Sequence, residues 1–281
     1  SPSLLLIFSF SGSPVLPQGL FEDGVAATLD KMRDLSAVNS VMTFSNNLVT
    51  RQYRPGQTPP VDNASGKIQT DVYVRTHEEY YKNTPLRQVR NPEHLYSDRD
   101  LIDELCDAAA SRDMTVYGRI LEPYVITGSI PGAERCAEVG ANGEETNHIC
   151  FNHPDYVAFW DGVVTDLAKS HPAMAGFKFG QERGGPIGKA LSGSTATCFC
   201  PTCCALAEKQ GIRVNVARDG LLEIQKFATE YHKELDADTP ETQIPRDGFF
   251  VTFMRILSKY PDLLSWERFW MDSREQQRRR M

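Results

Sequence analysis

Four of the seven cysteines in this 281-residue chain lie between Cys198 and Cys204. Three of them form the pattern Cys198-x-Cys200-x-x-Cys203, in which a tight turn can direct the thiolates toward one tetrahedral ion. Cys150 is the best candidate for a fourth ligand, and four thiolates would leave no open position for catalysis. The spacing favours a structural Zn²⁺ site, with a redox or disulfide pair and inert buried thiols as the alternatives.

The remaining cysteines and two histidines are weaker candidates for the same chemistry. Cys204 is expected to face away on the helix that starts there, and Cys106 and Cys136 are expected to have no ligand-like neighbours. His148 and His153 flank the candidate fourth ligand, and each could replace it or orient the site. A single histidine is more often simply hydrogen-bonded.

A glutamate follows the fourth predicted strand, at a position suited to proton transfer. Residues 174–182 end at Glu182, and Arg183 begins a glycine-proline loop. In parallel α/β folds the carboxyl ends of the strands build the active site. A glutamate held there is a suitable general acid or base. The alternative is an ordinary pair between Glu182 and Arg183, or a loop cap.

Further polar residues stand at the end of the third predicted strand and in the segment before it. Glu122 and Arg119 could bind sugar hydroxyls or pair with each other. Four tyrosines could line a sugar-binding cleft by stacking, although scattered loop tyrosines more often pack against the protein. They are Tyr73, Tyr80, Tyr81 and Tyr96.

The elements that must position these residues alternate along the chain. Apolar runs predict strands over 4–10, 38–44, 114–121 and 174–182. Helical periodicity predicts helices over 20–35, after Asp98 or Asp100, and over 154–169, 203–210, 216–234 and 248–277. Residues 45–97 show little periodicity, and 128–147 are expected to form a glycine-rich loop. Alternating strands and helices predict an α/β fold with parallel strands.

Composition excludes several classes of protein. The net charge of −7 counts against nucleic-acid binding. The longest apolar run, from Leu4 to Phe8, is too short to span a membrane. Three arginines at 278–280 are expected to be a solvated helix end. The chain is compatible with a cytoplasmic protein and with a processed, secreted one.

The order of the motifs resembles family 42 glycoside hydrolases. It comprises Cys150-x-Asn-x-Pro-x-Tyr, an amphipathic helix, a strand ending in Glu182, and then the CxCxxC pattern. The resemblance implies a (β/α)₈ TIM barrel, here a single domain over 1–281 with a zinc-stapled loop after strand 4. It also implies that Glu182 is the catalytic acid/base and that the four cysteines hold a structural zinc. The chain has Gln181 where the family has asparagine, and it offers no recognisable strand-7 nucleophile, so the barrel is expected to be truncated or unusually built in its second half.

The resemblance implies that the chain is a retaining glycoside hydrolase that acts on a carbohydrate. It would be a distant relative of the family with a different sugar substrate. Glu182 would protonate the glycosidic oxygen while a second carboxylate attacks the anomeric carbon. Gln181 would bind a sugar hydroxyl, and Lys178, Arg119 and Glu122 are the further candidate substrate contacts. A degenerate carbohydrate-binding barrel stabilised by zinc is the alternative. A homo-oligomer is compatible with both.

Overall fold

A computed structural model describes residues 11–47, 71–90, 97–126, 130–180, 183–236 and 246–280. Two compact units divide the chain. The first is Ser1–Pro131 with Gly162–Gln181, and the second is Gly132–Asp161 with Glu182–Met281. None of the described helices is both long enough and apolar enough to cross a bilayer. That the chain is a single barrel domain stays a prediction.

The described strands and helices follow one another in the order expected for an α/β protein. The strands are β1 (Gly12–Pro14), β2 (Ser40–Asn47), β3 (Asp71–Val72), β4 (Thr115–Leu121), β5 (Ala137–Val139), β6 (Glu145–Ile149) and β7 (Gly176–Gly180). The helices are α1 (Pro17–Asp23), α2 (Val25–Ser36), α3 (Leu101–Ala110), α4 (Pro154–Ser170), α5 (Pro186–Leu191), α6 (Pro201–Glu208), α7 (Val214–Asp236), α8 (Arg246–Lys259) and α9 (Asp262–Arg280). Two 3₁₀ turns, Glu78–Tyr81 and Ala133–Cys136, complete the described elements.

A parallel sheet forms the first unit. Its strands lie in the order β1-β2-β4-β7, and each pairs in parallel with the next. The short β3 adds an antiparallel pair to the end of β2. Helices α1 and α2 connect β1 to β2, and α3 precedes β4. This confirms the predicted α/β fold with parallel strands. The described residues contain four such strands and not the eight of a closed barrel.

Several predicted boundaries change for local reasons. The first predicted strand lies outside the described residues, and the described β1 begins later, at Gly12. The predicted helix 20–35 is two helices, because Gly24 takes a φ of 85° between α1 and α2. The predicted helix 248–277 is also two, α8 and α9, because Pro261 lacks the amide hydrogen a continuous helix needs. The predicted loop 128–147 contains β5 and the start of β6, so this expectation is wrong.

An ion pair anchors the start of α3 in the first unit. Asp100 caps the helix, accepting a hydrogen bond from the backbone of Asp103 at 3.2 Å. Its carboxylate also lies 3.1 Å from Nε2 of His171, whose Nδ1 lies 3.0 Å from the carbonyl oxygen of Leu167. Both ring nitrogens face acceptors, so the imidazolium is the form that satisfies both contacts. The prediction that an aspartate caps this helix is confirmed at Asp100.

Helices dominate the second unit, around a core that includes the cysteine cluster. Phe199, between two of the cysteines, stacks on Trp266 with ring centroids 4.3 Å apart. Ala196, Leu221 and Leu263 are among the buried residues of the same core. In the last turn of α9, Arg278 and Arg279 are exposed and pair with Glu275, as predicted for a solvated helix end.

Candidate metal centre

Four cysteine sulfurs meet inside the second unit. The Sγ atoms of Cys150, Cys198, Cys200 and Cys203 lie within 4.8 Å of one another, and all four side chains are buried. Cys150 is 3.5 Å from Cys203 and 3.6 Å from Cys200, sulfur to sulfur. These separations are too long for a disulfide, whose S–S bond is about 2.05 Å. The convergence predicted from the spacing is therefore present, including the fourth member from a distant part of the sequence.

Three local elements hold the four cysteines, since Cys200 and Cys203 both belong to the start of α6. Cys150 directly follows β6, and its amide donates to the carbonyl oxygen of Cys136 at 2.7 Å. Cys198 lies on an extended segment fastened to β5, because Phe199 donates its amide to Val139 at 2.7 Å. Cys200 is the N-cap of α6, and its sulfur accepts a hydrogen bond from the backbone of Cys203 at 3.5 Å. The antiparallel pair of β5 and β6 and the start of α6 thus bring their thiols to one point. We call this strand pair the β5–β6 hairpin.

The donor set fits a tetrahedral zinc ion. With Zn–S bonds of about 2.3 Å, tetrahedral geometry places the sulfurs about 3.8 Å apart. The observed separations of 3.5 and 3.6 Å lie close to that spacing. Asn152 donates its side-chain amide to the sulfur of Cys203 at 3.5 Å, which is the kind of outer contact that supports a thiolate ligand. The four residues could therefore hold one metal ion.

The protonation of the thiols points to the same conclusion. Hydrogen bonds from the other three sulfurs hold the pKa of Cys200 well below its ordinary value. The same contacts, together with burial, raise the pKa of Cys150. Four buried thiolates at this spacing would repel one another without a cation. A divalent ion permits all four to ionise, because it replaces the shared protons.

Positive side chains lie against the aromatic rings that border the cluster. Arg183 and Arg274 are 5.5 and 4.8 Å from the ring centre of Phe151, the residue after Cys150. Arg218 is 5.0 Å from the ring centre of Phe199. A divalent ion with four thiolates carries a net charge of −2, so nearby guanidinium groups suit such a centre.

A buried carboxylate joins the segments that carry two of the cysteines. Glu138 on β5 lies 3.3 Å from Nη1 of Arg183 and 3.2 Å from Nζ of Lys189. It also accepts a hydrogen bond from the hydroxyl of Thr197 at 2.5 Å. Arg183 donates in turn to the carbonyl oxygen of Ile149 at 2.5 Å. Thr197 and Ile149 directly precede cysteines of the cluster. We call the group of Glu138, Arg183, Lys189, Thr197 and Ile149 the Glu138 clamp.

The sequence pattern did not predict a second group of potential metal ligands. Cys136 lies 3.3 Å from Nδ1 of His153, sulfur to nitrogen, and these atoms share a site with the carboxylate of Asp155. The prediction that Cys136 has no ligand-like neighbours is wrong, because the turn before β5 returns it to the start of α4. Burial raises the pKa of its thiol to about 12. His153 is not part of the four-cysteine cluster.

The other predicted ligands take other roles. Cys204 donates its thiol to the carbonyl oxygen of Phe199 at 3.3 Å, outside the cluster. Cys106 lies on α3 in the first unit. His148 is half-buried, and burial lowers its pKa, with Lys189 as a smaller contribution.

Strands β4 and β7 directly precede the predicted catalytic residues in the sequence. Gln181 and Glu182 lie outside the described residues, directly after β7 in the sequence. Glu122 is buried at the end of β4, and its amide donates to the carbonyl oxygen of Gly180 at 3.2 Å. The neighbouring strands β4 and β7 thus end side by side.

The two remaining candidate substrate contacts, Arg119 and Lys178, lie on one face of this sheet. Arg119 pairs in register with Lys178, which places both on the same face of β4 and β7. Lys178 is exposed, and the guanidinium of Arg119 lies 4.5 Å from the ring centre of Phe44. Their role in binding substrate stays a prediction.

Two of the four tyrosines of the predicted cleft are buried in the described fold. Tyr73 and Tyr81 are buried, and the hydroxyl of Tyr81 accepts a hydrogen bond from Gln88 at 2.7 Å. Buried rings cannot stack on a sugar from solvent, so packing is their role in the described fold. Tyr80 is half-buried, and Tyr96 lies outside the described residues.

Comparisons with known proteins add no assignment. No protein-family model matches the chain, no curated protein sequence matches it, and no solved structure matches its fold. The candidate function therefore depends on the sites described above.

Proposed function

We propose that this chain belongs to a retaining glycoside hydrolase distantly related to family 42, with Glu182 as the acid/base. The observation that carries the proposal is the shared edge at which β4 and β7 end. Glu122 closes one strand, and Gln181 and Glu182 follow the other in the sequence. Carboxylates at the carboxyl ends of adjacent parallel strands are where barrel enzymes place their catalytic groups.

The order of the strands supports a barrel as the complete architecture. In the sheet the strands β1, β2, β4 and β7 are neighbours in the same order in which they occur in the chain. Consecutive parallel neighbours joined by helical connections are the repeating unit of a (β/α)₈ barrel. We therefore propose that this sheet is the first half of such a barrel, with Glu182 at the end of its fourth strand.

The proposed reaction is a double displacement. Glu182, as a carboxylic acid, donates its proton to the glycosidic oxygen while a second carboxylate attacks the anomeric carbon and the leaving sugar departs. The resulting Glu182 carboxylate then removes a proton from the water that cleaves the glycosyl–enzyme bond, which restores Glu182 as the acid and frees the second residue as a carboxylate. Gln181, Glu122, Arg119 and Lys178 are the proposed contacts to sugar hydroxyls.

The four-cysteine cluster is proposed to hold a structural Zn²⁺. A Cys₄ site is closed, so it contributes to folding and leaves no position for a reacting water. This assignment separates the metal from the chemistry. It also argues against a zinc-dependent hydrolase that uses this cluster.

The direct test is Glu182→Gln, assayed on a panel of nitrophenyl glycosides that differ in sugar and anomer. Loss of the acid/base should lower turnover on the accepted substrate by about 10²–10⁴-fold with folding intact. Glu22→Gln, on the exposed side of α1, is the matched control and should leave turnover unchanged. Proton NMR of the first-formed product should show the anomeric configuration of the substrate retained. Unchanged turnover in Glu182→Gln, or inversion of the anomer, would refute the proposal.

The runner-up function is a degenerate barrel that binds carbohydrate without cleaving it. The described residues after Arg183 form helices and contain no strand that could present a nucleophile, which is the observation that favours this alternative. Binding of a glycan by calorimetry, with no hydrolysis of the same glycan by the unmutated chain, would replace the enzyme proposal with this one.

A further inference from the structure

A second set of metal-ligating atoms lies in the second unit, outside the four-cysteine cluster. The sulfur of Cys136, a ring nitrogen of His153 and a carboxylate oxygen of Asp155 all lie within 4.8 Å of one another. Three chemically different donors from two segments of the chain therefore face one small volume. Cys136 is buried, whereas His153 and Asp155 are half-exposed, so this volume is reachable from solvent.

Nδ1 of His153 faces both the sulfur of Cys136 and the start of α4. The backbone amide of Asp155 donates to Nδ1 of His153 at 3.3 Å. Nδ1 has one acceptor lone pair in the plane of the ring, so a bound ion would replace this amide as its partner. The same nitrogen lies 3.3 Å from the sulfur of Cys136. An ion with a metal–sulfur bond of about 2.3 Å and a metal–nitrogen bond of about 2.0 Å would separate these two atoms by about 3.5 Å.

Helix capping explains only part of this arrangement. His153 stands before α4, and its ring nitrogen accepts the amide of Asp155 as an N-cap side chain does. A cap requires neither a thiol nor a carboxylate beside the same nitrogen. Arg135 lies 3.8 Å from the carboxylate of Asp155, and a charged partner of this kind commonly orients a ligating carboxylate.

We propose that Cys136, His153 and Asp155 form a second zinc site with one coordination position open to water. A mixed set of sulfur, nitrogen and oxygen donors suits the borderline Zn²⁺ ion, and three protein ligands leave the fourth position free. This inference does not depend on the proposed glycosidase activity. Since two of its ligands are half-exposed, this ion exchanges faster than one enclosed by four buried cysteines.

The test is the zinc content of the full chain after loading with excess Zn²⁺ and gel filtration. The unmutated chain should hold two zinc ions, and a colorimetric chelator should remove one of them rapidly and the other slowly. Cys136→Ser and His153→Asn should each hold one ion and lose the rapid phase. His153→Asn retains an N-cap acceptor, so α4 keeps its start. Cys106→Ser, on α3 in the first unit, is the matched control and should hold two.

Cobalt substitution identifies the ion that each variant keeps. The sulfur-to-cobalt absorption, which grows with the number of bound thiolates, should stay intense in Cys136→Ser and His153→Asn, and should fall sharply in Cys203→Ser. One zinc ion in the unmutated chain, or two in either Cys136→Ser or His153→Asn, would overturn the inference. A single ion that disappears in Cys203→Ser would leave the four-cysteine proposal standing while removing this one.

Discussion

Glu138→Ala should strongly destabilise the second unit, because it removes the one carboxylate of the Glu138 clamp. Glu138 is 1% exposed. The side chains of its two cationic partners, Arg183 and Lys189, are 5% and 22% exposed. Removing one member of a buried ion pair leaves an uncompensated charge and costs about 3–5 kcal/mol. Lys189 can turn partly toward water, so we expect a value near the lower end of that range.

Two further variants separate charge from packing. Glu138→Gln keeps the volume and an acceptor for the hydroxyl of Thr197 but removes the negative charge. It should therefore cost less, about 2 kcal/mol, as expected for hydrogen bonds to charged groups. Glu144→Ala, at an exposed position between β5 and β6, is the matched control. It should change the free energy of unfolding by less than about 0.5 kcal/mol.

The assay is urea denaturation followed by tryptophan fluorescence. The chain has three tryptophans, Trp160, Trp266 and Trp270. All three belong to the second unit, so their emission reports its unfolding. The clamp also joins segments that precede Cys150 and Cys198, so Glu138→Ala should release zinc to a chelator faster than Glu144→Ala does. A loss below about 1 kcal/mol for Glu138→Ala would show that Arg183 and Lys189 find other partners, and would refute the reasoning.

Two predictions concern the first unit. Burial lowers the pKa of His171, but the hydrogen bond and charge of Asp100 outweigh it and raise that pKa above 6.5. The stabilisation from the ion pair is therefore complete below pH 6.5 and is lost as pH rises through the pKa of His171 in the folded state. For Asp100 burial raises the pKa, yet contacts led by His171 lower it below 3.8, so its contribution to stability is lost only as pH falls through the pKa of Asp100 in the folded state. Thermal midpoints should therefore fall between about pH 5.5 and about pH 8.5. His171→Gln should flatten that fall. Gly162→Ala should lower the midpoint, because the new Cβ would lie 2.7 Å from the backbone oxygen of Tyr80, and this overpacking of about 1–3 kcal/mol exceeds the helix preference of alanine. The control Gly188→Ala, on α5 in the second unit, places its new Cβ more than 4 Å from any atom outside its own helix and should be neutral or stabilising. Equal midpoints for the two glycine variants would contradict the argument.

The strands and helices that were predictable share a simple local signal. β2, β4 and β7 lie within or close to apolar runs, and α4 follows its helical period from Pro154 to Ser170. Elements shorter than one period escaped that signal. β5 has three residues, one of them the buried Glu138. It pairs with β6, and Glu138 forms ion pairs with Arg183 and Lys189, which lie far along the chain.

The site shows the same division. The spacing of Cys198, Cys200 and Cys203 by itself determined that three thiols could meet, because a turn and the start of a helix allow little other geometry. That Cys150 completes the set was a hypothesis from sequence, and only the tertiary structure brings its sulfur to 3.5 Å from Cys203.

The sequence by itself therefore determined an α/β chain with parallel strands and a cluster of thiols, since both depend on neighbours close in sequence. Only the tertiary structure decided what surrounds them. It placed Glu138 between two cations and brought Cys136 to His153, seventeen residues away in the chain. The physical reason is that contacts between distant segments depend on how the whole core packs, and no local pattern of residues encodes that packing.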